Sequence, residues 1–310
     1  MRVEEVVPRF SATVAAVAIA SGSGDSAPGE EMHKTLLIVF VCVLATAGER
    51  FPAPHVVPAR VGMVLIGATP QGFALATDGS SLNADGRVSQ EHRLFQAGKH
   101  GAILIAGSVS TQDPVGGRVR EEVNVGRIAS QWLAAHPDSD FQTADRELNA
   151  VVTSAMNKFL FTRNAGKQSG AFRFGILAVG FVSGKPTLIF TRYFMPRATG
   201  KAMRIERTSA VAQPGEIWIY SQSSVPLRLL TGKSNTLEQF RSDQAIEKFR
   251  SSQSSDLAEQ DYLALFDRIL QASESDQGKE LDGNRAIVAP PNRFATVTLE
   301  GGFSWSTVAN

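Results

Sequence analysis

Residues 63–80 read MVLIGATPQGFALATDGS, and this stretch predicts a β-hairpin. Residues 62–68 form an apolar run with strand character, and residues 69–72 supply the proline and glycine of a tight turn. Residues 73–77 return as a second apolar strand, which ends before an Asp-Gly pair. Paired strands are therefore expected to open the folded part of the chain.

Blocks of strands and blocks of helices alternate along the remaining sequence. Strands are expected at residues 93–95, 102–107, 172–181, 187–194, 217–220, 294–299 and 303–305. Apolar residues at helical spacing predict helices at residues 123–135, 143–159, 224–230, 243–249 and 261–272. Because strands and helices form separate blocks, the pattern predicts an α+β protein. Two sheets packed face to face, with helices outside each, would bury every apolar face.

Composition and charge exclude several classes of protein. With 310 residues, of which 43% are hydrophobic and 20% charged, the chain can bury a core and is not wholly disordered. The net charge is +1 and no basic block stands out, so neither a nucleic acid nor an anionic membrane is expected as a partner. Cys42 is the single cysteine, which excludes a disulfide framework and a multi-thiolate zinc site.

No cofactor or metal ion is expected. The five histidines are too scattered along the sequence for a recognisable ligand cluster. Residues 114–122, PVGGRVREE, are rich in glycine but lack the Lys-Ser/Thr of a phosphate-binding loop. We interpret that segment as a turn followed by the start of a helix.

Residues 32–47, MHKTLLIVFVCVLATA, have the pattern of a secretory signal peptide. Its apolar run is shorter than the roughly 20 residues that span a bilayer, so no stable membrane span is expected. We expect export to the periplasm or the medium, with a cytoplasmic location as the alternative. Translation would then start at Met32 and leave residues 1–31 upstream of the true start. A real disordered extension at 1–31, or a stray core segment at 36–44, are the alternatives.

The region after the signal peptide divides into an extended, proline-rich arm at residues 48–61 and one domain at residues 62–310. In that domain the motifs GFALATDGSS (72–81) and RLFQAGKHGAILIAGS (93–108) are followed by FRFGILAVGFVSGKPTLIFTRYF (172–194). Together with the order of elements, they resemble the proteasome-like family of N-terminal-nucleophile hydrolases. The resemblance implies a four-layer αββα sandwich and homo-oligomers that stack into rings.

The family's catalytic positions are only partly matched. Its nucleophile is a threonine, serine or cysteine at the first residue, where the terminal amine can take the hydroxyl proton. That position falls at Gly62, which has no side chain, and the family's lysine position holds Arg93. Asp78 matches the family's aspartate, and Ser221 matches its later serine, although Gln222 replaces the glycine that follows.

Each match has a structural alternative. An aspartate before a glycine, as at Asp78, is commonly a turn-forming side chain. Arg93 is either a surface cation at a strand start or a partner for Asp78. For Ser221 we favour a solvent-facing serine close to a helix N-terminus.

The sequence therefore predicts an exported, non-catalytic protein that acts by binding or self-assembly. One alternative is a threonine- or serine-type N-terminal-nucleophile peptidase or amidohydrolase with an unrecognised processing site. Thr69, Ser80 and Ser108 follow small residues, but cleavage before any of them would remove core strands. The other alternative is a cytoplasmic, proteasome-type peptidase component.

Overall fold

A computed structural model gives the fold of most of the predicted domain. It describes residues 54–57, 62–82, 88–90, 92–107, 110–115, 118–161, 172–194, 202–232, 237–241, 243–252, 256–284 and 287–307. The expected extension at 1–31 and the expected signal peptide at 32–47 lie outside the described residues. The described residues form a mixed α+β structure with two sheets, so the α+β class is confirmed.

The first sheet has six strands in the spatial order β1-β13-β2-β3-β14-β15. These strands are β1 (His55–Val57), β2 (Val64–Ala68), β3 (Gly72–Thr77), β13 (Ile217–Tyr220), β14 (Arg293–Thr298) and β15 (Gly302–Ser306). All neighbours are antiparallel except β1, which pairs in parallel with β13. The hairpin predicted from residues 63–80 is thus confirmed as β2 and β3, at the centre of this sheet.

The second sheet has five antiparallel strands in the order β12-β11-β10-β7-β6. These are β6 (Leu94–Gln96), β7 (Gly101–Gly107), β10 (Phe172–Val182), β11 (Lys185–Phe194) and β12 (Arg204–Val211). Two separate two-stranded ribbons consist of β4 (Ser80–Leu82) with β5 (Val88–Gln90), and β8 (Ser110–Val115) with β9 (Arg118–Asn124).

The helices fall into two groups along the chain, as the sequence pattern predicts. The first group is α1 (Val125–Ala135) and α2 (Phe141–Phe161). The second group is α3 (Val225–Thr231), α4 (Glu238–Arg241), α5 (Gln244–Ser251), α6 (Glu259–Glu274) and α7 (Asp276–Leu281). Side-chain caps fix two starts: Asn124 accepts from the Arg127 N–H at α1, and Asp243 accepts from the Ala245 N–H at α5.

Buried apolar side chains form three clusters. Along β3, Leu75 belongs to a cluster that also contains Leu104 of the second sheet, so this cluster lies between the sheets. Ala76, the next residue, belongs instead to a cluster with Phe266 and other side chains of α6. The third cluster joins the second sheet to α1 and α2, with Ile105 as a member. The alternation follows from the two-residue period of a strand.

Several segments differ from the sequence-based expectation, and two of them show the physical reason. Residues 114–122, expected as a turn and a helix start, belong to the β8–β9 ribbon, and the helix begins only at Val125. Strand β12 was not predicted at all, because its sequence RIERTSAV is mostly polar and its residues are mostly exposed. Both segments gain their strand structure from pairing with a neighbour, which local hydrophobic periodicity does not encode.

Candidate functional site

Hydrogen bonds join the residue before β2 to the residue after β3. The Met63 N–H donates to Asp78 Oδ1 over 2.8 Å, and the Asp78 N–H donates to the Met63 carbonyl over 3.2 Å. Before them, the Gly62 N–H donates to the Ile287 carbonyl over 3.1 Å. These bonds place Gly62 and Asp78 side by side at one end of the first sheet.

Arg93, which directly precedes β6 of the second sheet, places its guanidinium next to Asp78. Its Nε lies 3.4 Å from Asp78 Oδ1, and both side chains are 0% exposed. The Arg93 Nη1 group donates to the Gly107 carbonyl, and it lies 3.4 Å from the Ile105 carbonyl. Asp78 and Arg93 therefore form a fully buried ion pair, which is contacted by a backbone N–H and by strand carbonyls. The interpretation of Arg93 as a surface cation is wrong, and its pairing with Asp78 is confirmed.

The guanidinium of Arg93 occupies the space beside Gly62. A Cβ atom added at Gly62 would lie 2.6 Å from Cζ, 2.7 Å from Nη2 and 2.8 Å from Nε of Arg93. Real Cβ atoms essentially never approach other heavy atoms so closely. Gly62 also has φ of +76°, a conformation that glycine adopts without strain. A side chain at position 62 would therefore have to displace a buried arginine.

Ser221 is buried, with 2% of its surface exposed, so the interpretation as a solvent-facing serine is wrong. Its Oγ accepts a hydrogen bond from the Ser223 N–H over 3.0 Å, and the Ser223 Oγ accepts from the Val225 N–H over 3.2 Å. Asp282 Oδ1 accepts from the Ser224 N–H over 2.9 Å. Serine and aspartate side chains thus shape the entry into α3, which explains why polar residues are buried there.

Sequence reasoning missed Glu274, at the end of α6. Burial raises the pKa of the Glu274 carboxyl, and the negative charge of Asp78 raises it further. Asn292 Nδ2 donates to Glu274 Oε1 over 2.9 Å and opposes that shift. No motif surrounds Glu274 in the sequence, and only the packing of α6 on the first sheet brings it within range of Asp78.

Of the three hydroxyls considered as hidden nucleophiles, that of Thr69 has structural partners in the described chain. Thr69 is 1% exposed; its Oγ1 donates to Glu259 and accepts from the backbone N–H groups of the turn that follows it. Ser80 lies in β4, which pairs with β5, and Ser108 lies outside the described residues. Within the described chain, the Thr69 hydroxyl therefore acts as a turn-forming group.

Metal binding and membrane insertion are two further possibilities for the described part of the chain. No three histidine, cysteine, aspartate or glutamate side chains there come together as metal ligands. None of the described helices is both long enough and apolar enough to cross a membrane.

Comparison with known proteins gives structural neighbours of low sequence identity. No family model and no curated protein matches the sequence. Among solved structures, the helical assembly of the Anbu complex from Pseudomonas aeruginosa is 10% identical, with a TM-score of 0.49 over 80% of this chain and 88% of that one. Anbu (ancestral beta-subunit) from Yersinia bercovieri is 13% identical, with a TM-score of 0.40 over 78% and 86%. An Anbu (Gly-1) mutant from Hyphomicrobium sp. strain MC1 is 11% identical, with a TM-score of 0.40 over 79% and 86%.

The identification with the proteasome-like family of N-terminal-nucleophile hydrolases is corrected by these findings. The solved structures named above are described as Anbu proteins, and nothing in their descriptions is specific to N-terminal-nucleophile hydrolases. Likenesses at such low identity and TM-score assign neither a family nor a function. The physical reason for the error is that the motif residues have structural roles. Asp78, for example, accepts a hydrogen bond from the Met63 N–H, and such a bond can stabilise a hairpin in a protein of any function.

Proposed function

We propose that this protein acts by self-association and does not carry out hydrolysis at the Gly62 centre. The observation that supports the proposal is the position of Arg93. A hydroxyl nucleophile of the type considered above needs an amine and an oxygen on one residue. Position 62 supplies no oxygen, and the Arg93 guanidinium fills the volume that such a side chain would need.

The charge at this centre also argues against proton transfer. Arginine stays protonated at all ordinary pH values, so Arg93 cannot accept the proton of a hydroxyl. Its paired partner, Asp78, already accepts from the Met63 N–H and faces the guanidinium. We therefore interpret the buried pair as a connection between the two sheets, with a structural role.

We further propose that the layers are stacked as helices, sheet, sheet and helices, the four-layer αββα arrangement. The three apolar clusters support it. One contains side chains of both sheets, one joins the first sheet to the second group of helices, and one joins the second sheet to α1 and α2.

Strand β12 is the surface that we propose for self-association. It lies at an edge of the second sheet, and no described strand pairs with its outer side. Nearly all of its residues are exposed, including Ile205 at 39% and Val211 at 49%. An exposed edge strand with apolar side chains readily adds a strand from another chain. The neighbour from Pseudomonas aeruginosa is described as a helical assembly, but the proposal rests on β12 alone.

Export is part of the proposal, and the signal-like segment at residues 32–47 supports it. Sequencing the N-terminus of the protein recovered from the periplasm or medium tests this point. A chain that begins after Ala47 is the expected result, and full-length protein confined to the cytoplasm would overturn it.

Light scattering coupled to size-exclusion chromatography tests self-association. We expect the wild-type protein to form a discrete oligomer, and V211K to weaken the association by about 10-fold or more, because a lysine on an edge strand blocks pairing. L227K is the matched control, since Leu227 is similarly exposed, at 44%, but lies on α3. A monomeric wild type, or an equal effect of both variants, would contradict the proposal.

A further inference from the structure

An open pocket lies between the edges of the two sheets and the end of α1, and its lining includes His92 and Leu94, the sequence neighbours of Arg93. It has a volume of about 490 Å³, within the usual range for small-molecule sites. Strand β6, the end of α1 and the β14–β15 hairpin all contribute to its walls. Its polar and aromatic lining residues include His92, Phe95, Gln96, His136, Arg293 and Trp305.

The charge in this pocket is not balanced by the described lining. Arg293 and two histidines line it, and none of the described lining residues is acidic. Glu91, which precedes His92, lies outside the described residues. Partial burial lowers the pKa of His92, and the positive charge of Arg293 lowers it further. A bound anion would offset the positive charge of Arg293 and favour the protonated form of His92.

Aromatic rings lie against two of the polar groups of the pocket. The Arg293 Cζ lies 5.8 Å from the centre of the Trp305 ring, and Trp305 is 51% exposed. The His136 ring stacks on Trp132 with centroids 4.3 Å apart, and its Nδ1 lies 2.8 Å from the Trp132 carbonyl. Because a carbonyl can only accept, Nδ1 carries the proton and Nε2 remains for another partner.

We propose that this pocket binds a small organic anion. Its carboxylate or phosphate group pairs with Arg293, and its planar apolar body packs against Trp305. Arginine suits this role because its planar fork matches both anionic groups. The half-buried position of Arg293 excludes part of the competing water, which strengthens such a pair relative to one on the open surface.

Calorimetric titration of the full-length protein tests the inference, with phenyl phosphate, benzoate, inorganic phosphate and phenol as probes. We expect an aromatic anion to bind more tightly than phosphate alone, and neutral phenol not to bind. The ratio of phenyl phosphate to benzoate affinity then identifies the preferred anionic group. R293Q should weaken binding of the preferred probe by about 10-fold or more, because a charge-assisted pair is lost.

R228Q is the matched control, since Arg228 is exposed on α3, outside the pocket. It should leave the affinity unchanged. W305A should lower the affinity for the aromatic probes but not for inorganic phosphate. NMR titration of His92 in the wild-type protein adds a readout that does not depend on any variant folding: its pKa should rise when the probe binds.

Three results would overturn the inference. The first is that neither aromatic anion binds the wild type at about 10 mM, a concentration far above useful affinities. The second is that R293Q and R228Q lose equal binding affinity, and the third is that the pKa of His92 does not change at saturating probe. If R293Q does not fold, R293K replaces it, and it should keep weak binding because the charge remains without the fork.

Discussion

Arg93 and Arg293 carry the same side chain into two different environments. Arg93 is 0% exposed, lies 3.4 Å from Asp78 and donates to strand carbonyls. Arg293 is half-buried in an open pocket, rests over Trp305 and is paired with no acidic side chain of the described lining. Both arginines lie at the start of a strand, Arg93 directly before β6 and Arg293 as the first residue of β14. Among the described residues around them, only Arg93 has an acidic side chain that balances its charge.

The difference separates a structural charge from a charge that is available to a ligand. The two charges of a buried ion pair already balance each other, and breaking the pair costs stability. A cation in a pocket without a counter-charge can gain from an incoming anion. The family resemblance suggested Arg93 as a functional residue, whereas the lack of a counter-charge in the described pocket lining suggests Arg293.

The largest expected effect comes from breaking the Asp78–Arg93 pair. D78N keeps an oxygen for the Met63 N–H but removes the negative charge that lies beside the buried guanidinium of Arg93, so we expect a loss of about 3–5 kcal/mol in the free energy of unfolding. Urea denaturation measures it. E147Q is the control, because Glu147 is 47% exposed in its pair with Arg146 and should change stability by less than about 1 kcal/mol. Similar losses in both variants would contradict the structural role of the pair.

The next effect isolates the close contact between Gly62 and Arg93. Gly62 and Gly184 have φ of +76° and +75°, but a Cβ at Gly184 would meet nothing within 4 Å. G184A should therefore cost only the backbone strain, about 1 kcal/mol. G62A should cost about 1–3 kcal/mol more, because its methyl group also overlaps the guanidinium. Equal losses in thermal or urea denaturation would mean that the space beside Gly62 is open.

Arg293 provides the contrasting case. R293Q should change the free energy of unfolding by less than about 0.5 kcal/mol, as for other substitutions away from the core. The same variant should raise the pKa of His92, since a nearby positive charge is removed. NMR titration of the histidine measures this. A loss of stability as large as that of D78N would show that Arg293 is structural as well.

The smallest effect concerns Asp145, which pairs its 0% exposed side chain with Arg207, itself 53% exposed. Burial raises the pKa of Asp145, although its bonds to Arg207 and Asn149 oppose the shift. The folded state therefore binds a proton at Asp145 more readily than the unfolded chain does. The contribution of Asp145 to the free energy of unfolding is thus greatest at low pH, and it declines as pH rises through the folded-state pKa. The stability of the wild type relative to D145N should fall as pH rises from about 4 to 8.

Urea denaturation across that range measures the trend, with E147Q as the reference for an exposed carboxyl. If the wild type instead gained stability over D145N with rising pH, the attraction of Arg207 would outweigh burial. Asp145 would then resemble the balanced charge at Arg93 more closely than the present structure indicates.

The sequence predicted much of the fold and less of the site. Strands such as β2, β3 and β10 are strongly apolar, and the helices have clear amphipathic patterns, so their existence was predictable. Strand β12 was not, because its pairing with β11 and not its own composition holds it. The meeting of Gly62, Asp78 and Arg93 was suggested only through a family resemblance that the comparisons correct. The pocket combines residues from distant segments, and no local pattern joins His92 to Arg293.

Whether any leading residue of the mature chain can react is measured by intact mass spectrometry after incubation with a peptide β-lactone, which acylates N-terminal hydroxyl and thiol nucleophiles. We predict an unchanged mass for the exported protein, because a chain that begins after Ala47 starts at Gly48, and neither Gly48 nor Gly62 carries a hydroxyl or a thiol. An acyl adduct that maps to a threonine or serine at the N-terminus would contradict the non-catalytic interpretation.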